Sequence, residues 1–419
     1  MKTIFFVIFI LLNLNVNALL NVKILKSSDN AYPIVIKPLK NETNSQLSEN
    51  ISKIIEADLL RSGRFRTIKN NNNPKPNYTF LKKNGIEATM IGSIRKKSKR
   101  TYQVSFSLFD VFSHKKRFQK SWTVRASSLR KVAHKISDSI FFELLGEKGD
   151  FDTHLSYVLL KKYNNELRYH LEVSDSDAFN PQSILISKEP ILSPSWSYDG
   201  QKLAYVSFEN GFSQVFIKYV WVRRARVALP RFDGIASAPS WSPDGKNIVL
   251  TLSKKGNKDI YLYNLKSKKL KRLTTNKATD TEANFSPDGK SIVFSSDRGN
   301  GVQIYQLTLK NHKIRRLTFD GNYNTKPVFS PDGKNIVMVH RNKRKYRIAL
   351  LNLRNRKFTI ISNGSFDESP YFSPNGSMIA YATKDEKYGY LSVLSTNGLN
   401  SHQLISSEGE VREPSWSNF

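Results

Sequence analysis

Beyond residue 190 the apolar positions come in short runs broken by turn residues. Runs such as Ile248-Val249-Leu250, Ile292-Val293-Phe294 and Ile336-Val337-Met338 have strand length and strand-forming composition. Each is followed by a polar break and then an alternating segment, as in Ile260-Tyr261-Leu262-Tyr263 or Val302-Gln303-Ile304-Tyr305. A last segment, Leu270-Lys271-Arg272-Leu273-Thr274 or Ile314-Arg315-Arg316-Leu317-Thr318, brings a further strand to each unit. Ahead of each unit's apolar run stand an aromatic residue, a serine and a tight turn. The phrase reads Trp196-Ser197-Tyr198-Asp199-Gly200, Trp241-Ser242-Pro243-Asp244-Gly245, Phe285-Ser286-Pro287-Asp288-Gly289, Phe329-Ser330-Pro331-Asp332-Gly333 and Phe372-Ser373-Pro374-Asn375-Gly376. A clipped sixth copy, Trp416-Ser417-Asn418, ends the sequence, and the aromatics fall 45, 44, 44, 43 and 44 residues apart.

A period in this range, with four short strands per unit, predicts β-propeller blades. Pro, Asp and Gly suit successive positions of a type I turn followed by a bulge, so the Pro-Asp-Gly carboxylates read as turn formers and not as catalytic acids or metal ligands. Glu413 to Phe419 can supply only the opening strand of a blade. Its complement lies upstream of Trp196: segments 155–160, 167–173 and 183–186 are three strands lacking an opener. Joining the two gives a sixth blade, closes the ring and removes exposed strand edges. The propeller is expected to span 153–419.

The first third has a different rhythm. Residues 32–39, 64–68, 86–94 and 101–111 read as strands, the last alternating Tyr102, Val104, Phe106 and Leu108. One helix is predicted with an apolar face of Ile51, Ile54, Ile55 and Leu59, capped by Ser48 and stopped by Gly63. Another runs over 128–145, with Leu129, Val132, Ile136, Ile140 and Leu144 on one side and Gly146 at its end. The expected fold class is an α/β N-terminal domain at 19–150 plus an all-β six-bladed β-propeller.

Residues 1–18 read as a secretory signal peptide: Lys2, an apolar stretch from Ile4 to Leu12, and Val16-Asn17-Ala18 at the cleavage positions. Mean hydropathy is −0.45, and no later apolar run is long enough to cross a bilayer. There is no cysteine, which excludes disulfides, a thiol nucleophile and a lipidated cysteine.

Several segments together resemble the TolB family, periplasmic components of the Tol–Pal cell-envelope system of Gram-negative bacteria. They are 193–209, which looks like that family's first full repeat, Ala57-Asp58-Leu59-Leu60-Arg61-Ser62-Gly63-Arg64-Phe65, Glu172-Val173-Ser174-Asp175-Ser176-Asp177, and the closing Pro414-Ser415-Trp416-Ser417. The resemblance covers essentially the whole chain. It implies a non-enzymatic scaffold and relay, monomeric and without cofactor, that supports outer-membrane integrity and constriction during cell division. It implies binding of the peptidoglycan-associated lipoprotein Pal at one propeller mouth, hence peripheral association with the outer membrane, and contact with TolA through the mature N-terminus.

On this sequence the TolA-binding strand would be Leu19, Leu20, Asn21, Val22, Lys23 and Ile24, an alternating segment suited to adding onto a partner's sheet edge. A terminus that simply packs on its own domain is the competing reading. For Pal, the loops entering each opening strand share one mouth. The expected contacts are Arg231, Thr281, Glu282, Tyr323, Thr325, Lys326, Glu368, Arg412 and Glu413. Thr281-Glu282 resembles the family's Thr-Glu contact pair. Around Arg231 the pattern departs, because Phe232 and Asp233 follow where the family has a histidine.

A net charge of +31, from 66 basic and 35 acidic residues, suggests a polyanionic partner when read alone. The basic residues are spread over both domains without a nucleic-acid module, so compositional drift is the preferred reading, with weak attraction to anionic envelope surfaces as a secondary effect. Nucleic acid is not an expected partner of an exported protein. Propellers also cap serine peptidases, but no Gly-x-Ser-x-Gly elbow occurs, and the seven histidines show no paired metal spacing. A propeller that binds a carbohydrate or other small ligand in its channel stays open as an alternative.

Overall fold

The computed structural model describes residues 22–24, 31–41, 51–68, 75–254, 256–385, 388–398, 400–405 and 409–419. The signal-peptide segment 1–18, the capping Ser48, and Leu19, Leu20 and Asn21 of the expected TolA strand lie outside them.

Six antiparallel sheets form the propeller, five of four strands and one, blade 5, extended to five by an N-terminal strand. In chain order, blade 1 spans 191–228, blade 2 spans 235–272, blade 3 spans 280–316, blade 4 spans 324–360 and blade 5 spans 368–405. The closing blade joins His154–Tyr163, Glu166–Asp175 and Gln182–Ser187 to the C-terminal strand Glu410–Trp416, which pairs antiparallel with His154–Tyr163. Trp416 fixes that junction. It is 1% exposed, and its indole N–H donates to Thr153 Oγ1 at 2.9 Å.

The aromatic-Ser-Pro-Asp-Gly phrase folds the same way in each copy. Asp244 Oδ1 accepts from Ser242 Oγ at 2.6 Å and from the Lys246 N–H at 3.0 Å, while Gly245 sits at φ +67°. Asp199, Asp288 and Asp332 repeat this pattern. The hydrogen bonds hold the carboxylates charged: the Asp244 and Asp288 pKa values are lowered chiefly by their serine partners.

In the N-terminal domain the strands lie in the order Phe65–Arg66, Tyr32–Ile36, Ala88–Lys96, Thr101–Asp110 and Lys116–Arg125, parallel on the first side and antiparallel on the second. Helix α1 (Ile51–Arg61) buries Ile51, Ile55 and Leu59; α2 is Tyr78–Lys83; α3 (Leu129–Leu145) ends at Gly146, at φ +70°. Three elements were not expected from the sequence: the two-residue strand Lys40–Asn41, paired with Ala88–Lys96, α2, capped by the Asn77 side chain accepting from the Phe80 N–H, and the edge strand Lys116–Arg125.

The two parts share one core. Ile34, Leu59, Phe106 and Phe141 continue through Phe151 to Trp416, Met378 and Leu391. A polar network runs beside it. Asp58 on α1 accepts from Arg61 at 2.9 Å and from Ser137 Oγ at 2.8 Å, and lies 2.8 Å from His134 Nδ1 on α3. Arg130 on α3 pairs with Asp177 of the closing blade. Asn375, Asn397 and Asn400 of blade 5 donate to the carbonyls of Lys148, Gly63 and Leu60. The N-terminal domain therefore sits on blade 5 and the closing blade.

The strand Val22–Ile24 pairs antiparallel with Asn400–Ile405, opposite His402, Ser401 and Asn400, on the outer edge of blade 5.

Candidate functional site: the propeller mouth

The innermost strand of every blade carries one repeated irregularity. Ser193, Ala238, Glu282, Lys326, Ser369 and Glu413 occupy equivalent positions and all have left-handed backbone, with φ of 53°, 48°, 58°, 52°, 52° and 49°. At each, the strand register slips, so the position is a bulge that turns a side chain toward the channel. Left-handed backbone at a non-glycine residue costs on the order of 1 kcal/mol, and such strain gathers at functional sites. The bulges were not foreseen, although a signal was present: a proline two residues before the aromatic at Pro194, Pro239, Pro327, Pro370 and Pro414.

Three of the six bulge residues are charged, and they tie neighbouring blades together. Glu282 Oε2 accepts from Thr325 Oγ1 at 2.5 Å, Ser295 Oγ at 2.9 Å and the Lys326 N–H at 3.0 Å. Lys326 Nζ donates to Ser369 Oγ at 2.6 Å and lies 3.7 Å from Glu413 Oε1. Glu413 Oε2 accepts from the Ser193 N–H at 2.6 Å, carrying the chain of contacts across the closing blade to blade 1. Burial pulls the Lys326 pKa down, but Glu413, Glu282 and Glu368 more than offset this and leave it above the ordinary lysine value. Lys326 is therefore a fixed positive charge in an acidic ring.

Above this ring opens a cavity of about 410 Å³. Glu282, Tyr323, Thr325, Lys326, Glu368, Arg412 and Glu413 all line it, so most of the residues expected from the sequence converge there. Its walls also hold groups that were not foreseen: Tyr346, Phe366, Thr383 and Lys384. The Tyr323 and Tyr346 rings meet edge to face at 6.0 Å, and Arg341 lies 4.5 Å over Tyr323. Burial, with Glu282 and Tyr346 nearby, raises the Tyr323 pKa, so its hydroxyl stays protonated at neutral pH. Arg412 is held by Glu410 through bonds of 2.9 and 3.0 Å. An aromatic and arginine surface of this kind suits a protein partner, because Tyr and Arg dominate interface energetics.

Two expected residues fall elsewhere. Thr281 lines the channel below the cavity with Pro239, Pro327 and Pro370. Arg231 stacks 4.2 Å over Phe212 at the blade 1 to blade 2 connection and does not line the cavity.

Among the described residues, one group has metal-ligand proximity: Asp58, His134 and Asp177, with ligand atoms within 4.8 Å of one another. Arg61 and Arg130 already supply cations to the two carboxylates, and the cluster reads as an ion-pair network between domains.

A six-bladed propeller closed by its own C-terminal strand, seated beside a small α/β domain and opening into a charged mouth, defines a class of two-domain propeller proteins. Residues 141–419 match the model of the TolB beta propeller domain, and residues 20–117 match the TolB amino-terminal domain. The chain belongs to the TolB family. It is 51% identical over 403 residues to the Tol-Pal system protein TolB of Ruthia magnifica subsp. Calyptogena magnifica, covering 96% of this chain and 95% of that one. The corresponding protein of Vesicomyosocius okutanii subsp. Calyptogena okutanii is 48% identical, with 96% of each chain covered. The crystal structure of TolB from Acinetobacter baumannii superposes with a TM-score of 0.86 at 37% identity, over 96% of this chain and all of that one.

Proposed function

We propose that this chain is a non-enzymatic periplasmic scaffold of the Tol–Pal system. It binds the lipoprotein Pal at the propeller mouth and TolA through its mature N-terminus, and so supports outer-membrane integrity and constriction at division. The observation that carries the reading is the convergence of entrance loops from blades 3, 4 and 5 and the closing blade on one cavity with an aromatic and arginine lining. A scaffold role also agrees with how the mouth's carboxylates are used. Glu282 and Glu413 are engaged by donors from the next blade, which favours rigid presentation over proton transfer.

The edge pairing of Val22–Ile24 bears on TolA. Capture by a partner's sheet edge would exchange one set of strand hydrogen bonds for another, a near-balanced trade that a second event can tip.

Titration calorimetry with the cognate Pal tests the reading. The mature chain should bind, and Lys326→Ala should weaken binding at least about tenfold, because it removes a fixed charge from the centre of a desolvated surface. No heat with Pal, or unchanged affinity in Lys326→Ala and Tyr323→Ala alike, would overturn the assignment of the mouth.

A further inference from the structure

The face of the propeller opposite the mouth carries a charge pattern that the docking role leaves unused. In blades 2, 3 and 4 the hairpin between the third and fourth strands is built identically. Leu265, Leu309 and Leu353 anchor it, each donating its N–H to the carbonyl of the lysine after the Pro-Asp-Gly turn (Lys246, Lys290, Lys334) at 2.9–3.0 Å. The reversal is made by Lys268, His312 and Arg356 at φ of 58°, 55° and 62°. That geometry sets two exposed basic side chains per blade at equivalent places: Lys266 and Lys269, Lys310 and Lys313, Arg354 and Lys357. No acidic residue occurs between Asn264 and Leu270, between Thr308 and Ile314, or between Asn352 and Phe358. The exposed turn carboxylates Asp244, Asp288 and Asp332 are each matched by the lysine two residues on.

Blade 5 differs at the same two places. Its turn has Asn375-Gly376-Ser377 and its hairpin Thr396-Asn397-Gly398, and there the N-terminal domain docks. Basic side chains are thus absent where this face is covered and present on three consecutive blades where it is open. Blade 1 closes the crescent with a different hairpin. Val220 donates to the Gln201 carbonyl in the equivalent contact, and the tip presents Trp221 and Val222, 51% and 54% exposed, beside the exposed Arg223 and Arg224.

We propose that this crescent docks onto the surface of a bilayer rich in anionic lipid, with the six hairpin cations over the headgroups and Trp221 at the interface. Each basic residue near an anionic surface adds attraction that salt screens. A half-exposed tryptophan flanked by arginines is the composition that settles at a headgroup boundary, which a soluble polyanion would not require. The mouth then faces away from the membrane, open to its partner.

Co-sedimentation of the mature chain with phosphatidylglycerol/phosphatidylethanolamine vesicles, against phosphatidylcholine alone, tests this, with Trp221 emission as a second readout. A variant replacing Lys266, Lys269, Lys310, Lys313, Arg354 and Lys357 by Ser should lose at least about tenfold in vesicle partitioning. A control removing the same charge from the N-terminal domain, with Lys96, Lys97, Lys99, Arg100, Lys115 and Lys116 replaced by Ser, should retain most of it. Wild-type emission should shift to the blue with anionic vesicles, and Trp221→Phe should remove that shift. The proposal is overturned if anionic vesicles are not bound, if both charge variants lose equally, if Trp221→Phe leaves the shift intact, or if heparin binds while vesicles do not.

Discussion

Glu282 shows how one side chain serves two ends. Its carboxylate satisfies three donors, from Ser295 of its own blade and from Thr325 and the Lys326 backbone of the next, and the latter two hold blade 4 against blade 3 at the point where the mouth opens. Glu282→Ala would remove the charged acceptor these groups share and leave them only the weaker contacts of Ser295 Oγ with Thr325 Oγ1 and the Lys326 N–H, both 3.1 Å, a cost of about 1–3 kcal/mol, measurable as a lower urea midpoint. Glu282→Gln, which keeps an acceptor, should recover much of it. A second residue-scale prediction concerns pH. Asp138 on α3 accepts from the N–H groups of Phe151 and Asp152, yet burial, with Asp150 and Asp58 nearby, pushes its pKa up to about 7. Asp150 is raised to about 6, chiefly by burial. Both bind their protons more tightly folded than unfolded, so the stability they contribute is full below about pH 4 and is lost as pH rises toward 7. His134, raised by Asp58 against burial, acts in the same direction above its ordinary pKa of 6.5. Asp58, lowered, acts oppositely, and its contribution is lost only under acid conditions. Asp138→Asn should therefore flatten the decline between pH 4 and 7 by on the order of 1–2 kcal/mol in pH-dependent denaturation. An unchanged slope would place the titrating group elsewhere.

At the scale of elements, the propeller was legible because its information is local and repeated. Aromatic, serine and Pro-Asp-Gly lie within five residues, and their hydrogen bonds form within the same turn. Closure was legible for a related reason: a clipped last copy and an incomplete first one are complementary. The paired strands Glu410–Trp416 and His154–Tyr163 are what that complementarity requires. The missed elements have physical explanations. Helix α2 is six residues long and offers little periodicity, so its start depends on one Asn77 cap. Strand Lys116–Arg125 lies at a sheet edge with most side chains exposed, and Lys120 interrupts the alternation of Phe118, Trp122 and Val124 by which it would be recognised. The bulges were only partly legible: a proline follows the bulge position in five of the six copies, but blade 3 has Ala283 there, and the left-handed backbone itself is set by the surrounding sheet. The expected site residues Tyr323, Thr325 and Lys326 reached the cavity because they enter an innermost strand; Arg231 did not, lying in a longer connection where it stacks on Phe212. The closing strand itself is testable. Trp416→Ala should cost about 3–5 kcal/mol, since it empties a fully buried site and removes the bond to Thr153. Thermal unfolding would measure this, and a cost below about 1 kcal/mol would mean that the ring does not depend on its latch.

Across the whole molecule, the C-terminal strand, α3 and the N-terminal domain meet in one core, while the mouth opens on the opposite face. Val22–Ile24 lies on the outer edge of blade 5, away from the cavity lining. Deleting residues 19–25 should therefore abolish TolA binding and leave Pal binding intact or stronger, as read by parallel pull-downs. Loss of both, or of neither, would count against a relay role for that segment. The most direct measurement is hydrogen–deuterium exchange of the mature chain with and without Pal. Slowed exchange should concentrate at 281–282, 323–326, 366–368 and 410–413, with the Pro-Asp-Gly turns of blades 2–4 unchanged. Protection confined to those turns or to the N-terminal sheet, with the mouth unaltered, would contradict the account.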